Sequence, residues 1–129
     1  MGRLKNICVV TGSRAEFGLM TKFIKRLQHH KHFELQLVVT GMHLSPEFGL
    51  TFQNIVDLEI PIAHKVEMLL SSDTPVGTAK SMGVGMMGFA DCFEKPRPDL
   101  LIVLGDRFEV LFAAQSAMIS HTNCPHKWR

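Results

Sequence analysis

The strongest constraint on the fold comes from apolar segments that run directly into a glycine and then into ionisable side chains. Three such segments end at Thr11, Thr40 and Leu104, and a glycine follows each of them. Continuous apolar runs rich in β-branched residues are typical of strands covered on both faces of a parallel sheet. Because the carboxyl ends of parallel strands share one edge, and ligands bind in the crevice outside that edge, the sequence predicts a functional site there.

Ionisable side chains follow these three strands closely enough to meet at that edge. They are Arg14, Glu16, His43, Asp106, Arg107 and Glu109. They lie far apart along the chain, so only a parallel arrangement of the strands would bring them together. We therefore expect them to converge on one site.

The rest of the chain alternates between strand and helix patterns. The predicted strands are residues 7–11, 35–40, 64–70 and 100–104. The predicted helices are residues 17–30, 51–56, 76–93 and 108–119. This alternation indicates an α/β fold, a Rossmann-like parallel sheet flanked by helices. The Ser, Thr and Asp residues before Pro75 predict a loop that ends in a helix cap.

Composition and charge exclude several classes of protein. The chain has 129 residues, 46% of them hydrophobic and 20% charged, which predicts one soluble globular domain. A net charge of +2 without a basic run argues against nucleic-acid and membrane-surface partners. The three cysteines are widely spaced, and their spacing fits neither a disulfide framework nor a zinc site. This pattern favours a reduced, cytoplasmic setting.

One segment satisfies the dinucleotide-binding pattern G-x-G-x-x-G, namely Gly83-Val84-Gly85-Met86-Met87-Gly88. That motif requires a strand before the glycines and a helix that opens at them. Here the glycines fall inside a predicted helix, so we assign them to close packing of the helix on the sheet rather than to a nucleotide.

The turn after the first strand is the better candidate for an anion site. It joins a strand to a helix at residues 12–18, where free backbone amides and the positive end of the helix dipole face the crevice. Arg14 can add a charge-assisted hydrogen bond to a phosphate. The alternative is that Arg14 pairs with Glu16 and the glycines only form the turn.

The turn after the last strong strand places a carboxylate beside a guanidinium. Asp106 is a candidate general acid or base, and Arg107 is a candidate phosphate ligand. The alternative for Asp106 is a cap on the helix that follows. His43 is a candidate polar contact, or else an exposed residue of its turn.

Taken together, the three strand-end motifs resemble those of the hydrolysing UDP-N-acetylglucosamine 2-epimerases of sialic-acid biosynthesis. The resemblance covers about residues 4–120 and rests on three segments in order. They are Gly12-Ser13-Arg14-Ala15-Glu16, Thr40-Gly41-Met42-His43 and Gly105-Asp106-Arg107-Phe108-Glu109. It implies a glycosyltransferase-B-like fold with two Rossmann-like domains and the substrate between them. The implied reaction converts UDP-N-acetylglucosamine and water to N-acetylmannosamine and UDP through a glycal.

The resemblance also implies roles for individual residues. Asp106 matches a catalytic aspartate, and Arg14 and Arg107 match positions that hold the nucleotide diphosphate. Gly18 and His43 are the further candidates for substrate binding. No metal or redox cofactor is implied, and the parent enzyme is expected to be a homo-oligomer.

The chain departs from the family after Ser120. There the family continues into a strand and a turn that carries a second catalytic carboxylate, whereas residues 121–129 are polar and patternless. We expect residues 1–120 to form an incomplete N-terminal domain with an open sheet edge, residues 121–129 to be an aberrant tail, and the C-terminal domain to be absent. A frame shifted by one base can encode Ile-Pro-Ile-Ala-His-Ile in place of the tail; the alternative is a genuine C-terminus.

Several functions remain open at this point. Within the enzymes, the alternative is a non-hydrolysing epimerase that returns UDP-N-acetylmannosamine. A glycosyltransferase of the same general fold fits the motifs less well. Outside the enzymes, the alternative is a non-catalytic module that binds nucleotide sugars or associates with another subunit. The truncated chain itself is expected to be inactive.

Overall fold

Parallel strands form the centre of the fold in a computed structural model that describes residues 4–44, 52–67, 74–94, 97–104, 108–120 and 126–127. The strands are β1 (Lys5–Thr11), β2 (Phe33–Thr40), β3 (His64–Val66), β4 (Leu100–Leu104) and β5 (His126–Lys127). The α-helices are α1 (Arg14–His29), α2 (Phe52–Asp57), α3 (Pro75–Cys92) and α4 (Phe108–Ile119). A short 3-10 helix, Gly41–Leu44, follows β2. None of the helices in these ranges is long and apolar enough to cross a membrane.

The sheet has the strand order β3-β2-β1-β4-β5, and every pair of neighbours is parallel. In the middle of the sheet, Ile7 of β1 lies opposite Leu35 of β2 and Leu100 of β4. β1 is therefore hydrogen-bonded along both edges, and its carboxyl end lies between those of β2 and β4. The predicted α/β class with a parallel sheet is confirmed.

Alternate residues of each strand point to opposite faces of the sheet, as the pleat requires. On one face, Cys8 and Val10 of β1 pack with Phe89 of α3 and Phe112 of α4. The other face packs on α1 and α2, and its buried members are Ile7, Val9, Phe17, Met20, Ile24, Leu27, Leu37, Val39, Ile55 and Ile60. Helices cover both faces of the sheet, which agrees with the continuous apolar runs at residues 7–10 of β1 and 100–104 of β4.

The predicted bounds of β4 and α4 agree with the structure. β1 and β2 begin two residues earlier than predicted, at Lys5 and Phe33. In the extension, Lys5 and Asn6 pair with Phe33 and Glu34 of β2. Asn6 is also held from the other side, because its amide donates to Asp99 Oδ2 at 2.7 Å and its carbonyl accepts from the Asp99 amide at 2.8 Å. The described part of β3 ends at Val66, and residues 68–70 of the predicted strand lie outside the described residues.

The polar tail also contributes to the sheet. His126 and Lys127 lie opposite Val103 and Leu104 of β4 in a parallel pair. The expectation that this edge is open is therefore wrong at these two positions. Strand pairing uses backbone groups, so a short segment can join the edge without an apolar pattern. The other tail residues, 121–125 and 128–129, lie outside the described residues.

Helix α3 begins as its sequence predicts. Thr74 is the N-cap, and its hydroxyl accepts from the Gly77 amide at 3.1 Å, while Pro75 occupies the first turn. Residues 71–73 of the predicted cap region lie outside the described residues. All three glycines of the G-x-G-x-x-G segment lie inside α3, which confirms that they do not open a helix.

Close packing of α3 on the sheet explains only one of these three glycines. A Cβ added at Gly88 would lie 2.7 Å from Cγ1 of Val66 in β3, so this glycine does allow close packing on the sheet. At Gly85 the close neighbour is instead helix α4, because a Cβ would lie 2.6 Å from the ring of Phe112. A Cβ at Gly83 would have no atom of the described residues within 4 Å.

We expect Gly85→Ala and Gly83→Ala to have opposite effects on the free energy of unfolding. Phe112 is buried, with its ring centroid 5.3 Å from that of Phe89, so it has little room to move away from a methyl group at position 85. Overpacking of this kind costs about 1–3 kcal/mol. Gly83→Ala gains up to about 1 kcal/mol from helix propensity alone. Urea unfolding measures both, and equal stability of the two variants would contradict the packing at Gly85.

Candidate functional site

The carboxyl ends of β2, β1 and β4 lie side by side, as the strand order requires. The loops after β1 and β2 are in direct contact, since a Cβ added at Gly41 would lie 2.9 Å from the Gly12 carbonyl oxygen. The third loop, residues 105–107, lies outside the described residues, but the chain enters it from β4 and leaves it into α4. The sheet edge that the sequence predicts as the functional site is therefore the edge where the carboxyl ends of β2, β1 and β4 lie side by side.

The first turn of α1 is capped by its own side chains. Ser13 is the N-cap, and its Oγ accepts from the Glu16 amide at 3.3 Å. In return Oε1 of Glu16 accepts from the Gly12 amide at 3.0 Å. This arrangement is close to a capping box, in which the third helical residue turns back toward the start of the helix. The spacing of Ser13 and Glu16 is the sequence signal for it, and our sequence reasoning missed it.

The capping arrangement changes the predicted anion site. We expected the amides of the turn to be free, but the Gly12 amide is bound by the carboxylate of Glu16. The donors left for a ligand are the amides of Arg14 and Ala15, since intrahelical carbonyls cannot reach the first turn of a helix. The carboxylate, which is only 8% exposed, also interacts favourably with the positive end of the helix dipole.

A second buried carboxylate, that of Glu109, lies at the same junction. Glu109 is the second residue of α4 and is 1% exposed. A Cβ added at Gly12 would lie 3.3 Å from its Cβ, Cγ and Cδ, so the Glu109 side chain runs along the Gly12 backbone. Its Oε1 lies 2.7 Å from the position of a Cβ at Gly41, whose φ is +63°. Glu109 therefore contacts the loops after both β1 and β2.

The structure locates the predicted site residues to different extents. Arg14 is the first residue of α1 and is exposed beside the Gly12 turn, and Gly18 is exposed one turn further along. The backbone of His43 lies in the 3-10 helix after β2, and its side chain is not among the described ones. Asp106 and Arg107 lie outside the described residues. Of the six side chains expected to converge, those of Glu16 and Glu109 are shown to meet at Gly12.

Other reactive groups in the described ranges do not form a second centre. Burial, together with a smaller effect of the Asp91 charge, raises the pKa of the Cys92 thiol from 9.0 to about 11. A thiol with that pKa is protonated at neutral pH and is a poor nucleophile. Within the same ranges, no three His, Cys, Asp or Glu side chains gather closely enough to hold a metal ion.

We expect Gly41 to tolerate neither Ala nor Asn. Its left-handed backbone costs an alanine about 1–2 kcal/mol. Asparagine adopts this backbone more readily than other residues with a side chain, so Gly41→Asn separates the backbone effect from the contacts that a Cβ would make with Glu109 and with the Gly12 carbonyl oxygen. Because any Cβ would meet both the Glu109 carboxylate and the Gly12 carbonyl oxygen, both variants should have a lower free energy of unfolding in urea. A wild-type free energy of unfolding for Gly41→Asn would show that neither contact restricts the residue at position 41.

Comparison with known proteins places this arrangement in a family. The sequence model described as UDP-N-acetylglucosamine 2-epimerase matches residues 25–127. Two curated relatives are the GDP/UDP-N,N'-diacetylbacillosamine 2-epimerase (hydrolyzing) of Campylobacter jejuni, 38% identical over 122 residues, and the UDP-N,N'-diacetylbacillosamine 2-epimerase (hydrolyzing) of Legionella pneumophila, 37% identical over 122 residues. Each alignment covers 95% of this chain and 32% of the relative, so the chain spans about a third of their length.

A solved structure shares the fold. The crystal structure of the UDP-GlcNAc 2-epimerase from Neisseria meningitidis bound to UDP-GlcNAc superposes with a TM-score of 0.76 at 20% identity, over 94% of this chain and 31% of that one. The family match extends over most of the chain and includes the loops after β2 and β4. The chain belongs to the UDP-N-acetylglucosamine 2-epimerase family.

Proposed function

We propose that this chain forms part of a hydrolysing UDP-N-acetylglucosamine 2-epimerase, which converts UDP-N-acetylglucosamine and water to N-acetylmannosamine and UDP at the start of sialic-acid biosynthesis. The observation that carries the proposal is the junction of the β2, β1 and β4 ends, each followed by one of the three motifs. Membership of the epimerase family supports the proposal. The junction also suits the chemistry, because a reaction on a nucleotide sugar needs an anion site and an acid/base group close together.

In this proposal the strand-end junction binds the diphosphate of the substrate. The Arg14 guanidinium is exposed beside the first-turn amides of α1, where a phosphate would also meet the positive end of the helix dipole. Arg107 supplies the second guanidinium from the loop after β4. His43 and Gly18 complete the proposed substrate-binding set.

Asp106 is the proposed acid/base group. Elimination removes the proton from C2 of the sugar and breaks the bond between C1 and the UDP oxygen, which leaves a glycal. Water then adds at C1, and C2 receives a proton from the opposite face, so the configuration at C2 is inverted. One carboxylate cannot serve both faces of the ring, so the reaction requires a second group. The chain spans about a third of its relatives' length, and we propose that this group and the uridine-binding domain lie in the remainder.

The three motifs favour the hydrolysing reaction over the non-hydrolysing one. The forms Gly12-Ser13-Arg14-Ala15-Glu16 and Gly105-Asp106-Arg107-Phe108-Glu109 resemble those of the hydrolysing group. Product analysis separates the two reactions, because hydrolysis releases UDP and a free sugar, whereas the other epimerase keeps the UDP attached.

A second candidate substrate is UDP-N,N'-diacetylbacillosamine. It is favoured by the names of the two relatives that are 38% and 37% identical to this chain. The reaction would be the same at C1 and C2, but the sugar carries two N-acetyl groups. Release of UDP from each nucleotide sugar by a form of the protein with the full length of its relatives would decide between them.

We expect Arg14→Ala to weaken the binding of UDP without unfolding the chain, because the side chain is exposed. Loss of a hydrogen bond to a charged group costs about 1.5–3 kcal/mol, which is roughly a 10- to 150-fold rise in the dissociation constant. The matched control is Arg26→Ala, which removes the same charge from an exposed position in the last turn of the same helix. Titration calorimetry with UDP measures both, and equal affinities would contradict the assignment of Arg14.

The 129-residue chain by itself should release no UDP from UDP-N-acetylglucosamine above the buffer background. The physical reason is that the proposal places the uridine-binding domain and the second acid/base group in the remainder of the relatives' length, so this chain alone does not hold the sugar in position for removal of the proton at C2. A coupled assay for UDP measures this. Turnover by the purified chain would show that its own residues suffice, whereas binding of the nucleotide sugar without turnover is also what a non-catalytic binding module would give.

A further inference from the structure

The side chain of Glu109 lies where the loops after β1 and β2 meet. Its backbone belongs to the first turn of α4, directly after the loop that carries Asp106 and Arg107. Its methylene groups pack on Gly12, and its Oε1 reaches Gly41. One side chain of α4 thus contacts the loops after both β1 and β2.

A carboxylate is an expensive group to bury at this position. Glu109 is 1% exposed, and burial of a charged group is unfavourable unless hydrogen bonds or opposite charges compensate it. Packing alone would be satisfied by an apolar side chain of similar size, often with a gain in stability. The choice of glutamate therefore points to a role that depends on its oxygens rather than on its volume.

The two glycines are adapted to this side chain. A Cβ at either Gly12 or Gly41 would lie 3.3 Å or less from Glu109 atoms, so a larger residue at these positions would displace the carboxylate. A carboxylate can accept several hydrogen bonds at once, which suits a group that holds more than one segment of backbone. Gly12, Gly41 and Glu109 form one packed unit, which we call the loop clamp.

We propose that Glu109 is a positioning residue for the nucleotide-diphosphate site. Its carboxylate fixes the separation of the loop after β1, which leads into Arg14, and the segment after β2, which carries His43. Because the side chain is buried, it acts through these loops and not by touching the ligand. The proposal rests on the function proposed above, since UDP is the ligand whose binding the loop clamp would set.

The test compares Glu109→Gln with Ala113→Gly. Glutamine keeps the length of the side chain but removes its charge and one acceptor. Ala113 is fully buried on the same helix, packs in the α3 and α4 core, and lies outside the loop clamp, so its variant reports general destabilisation. Two quantities are measured on the full chain: the dissociation constant for UDP, and hydrogen exchange in residues 11–14 and 40–44.

The proposal predicts about a tenfold rise in the UDP dissociation constant for Glu109→Gln and none for Ala113→Gly. It also predicts faster hydrogen exchange in residues 11–14 and 40–44 for Glu109→Gln alone. Equal UDP affinity in wild type and Glu109→Gln would overturn the positioning role. If Glu109→Gln does not fold, Glu109→Asp takes its place, because it keeps the charge but withdraws the carboxylate by one methylene from Gly41.

Failure of the proposed function gives a different result. If the wild-type chain binds no UDP, the diphosphate site is wrong and the role of Glu109 in ligand binding falls with it. Hydrogen exchange then decides whether the loop clamp exists. Faster exchange confined to the two loops in Glu109→Gln supports the clamp, and the same pattern in Ala113→Gly overturns it.

Discussion

The parallel pairing of β1 with both β2 and β4 is the constraint on which the site depends. Thr11 lies opposite Val39, and Val9 lies opposite Ile102, so the three strands reach the same edge in register. Helices cover both faces of the sheet and bury every residue of β1 from Asn6 to Thr11. Because the strands cannot slide without moving buried side chains to the wrong face, the loops after β1 and β2 are held in contact.

The charges at this edge divide into two groups with different tasks. Glu16 and Glu109 are buried against the Gly12 turn, where the first caps α1 and the second contacts two loops. Arg14 is exposed at the start of the same helix. Two buried carboxylates oppose the approach of an anion, so in the proposed function the arginines must supply the attraction for the diphosphate. The need to offset the buried negative charge gives a physical reason for Arg14 near Glu16 and for Arg107 near Glu109.

Much of the fold could be predicted from the sequence because apolar runs and helical spacing report burial directly. β4 and α4 were predicted to the residue, and the glycines of α3 were correctly placed inside a helix. The pairing of His126 and Lys127 with β4 could not be predicted, since it depends on backbone groups that every residue carries.

The site was harder to predict than the fold because charge normally indicates exposure. Glu16 and Glu109 were correctly expected at the strand-end edge, but nothing in the pattern shows that both are buried. The glycines Gly12 and Gly41 are the available signal, because such residues mark places where another group approaches the backbone closely. The packing of Gly85 on α4 rather than on the sheet depends on the position of Phe112, which no local pattern contains.

Nuclear magnetic resonance of the isotopically labelled chain can map where UDP binds, and so tests directly whether the ligand site lies at the strand ends. If UDP binds at the ends of β1, β2 and β4, amide shifts will concentrate in residues 12–15, in Gly41–Leu44 and in residues 105–107. Shifts concentrated at the opposite edge of the sheet, or no shifts at saturating UDP, would contradict it.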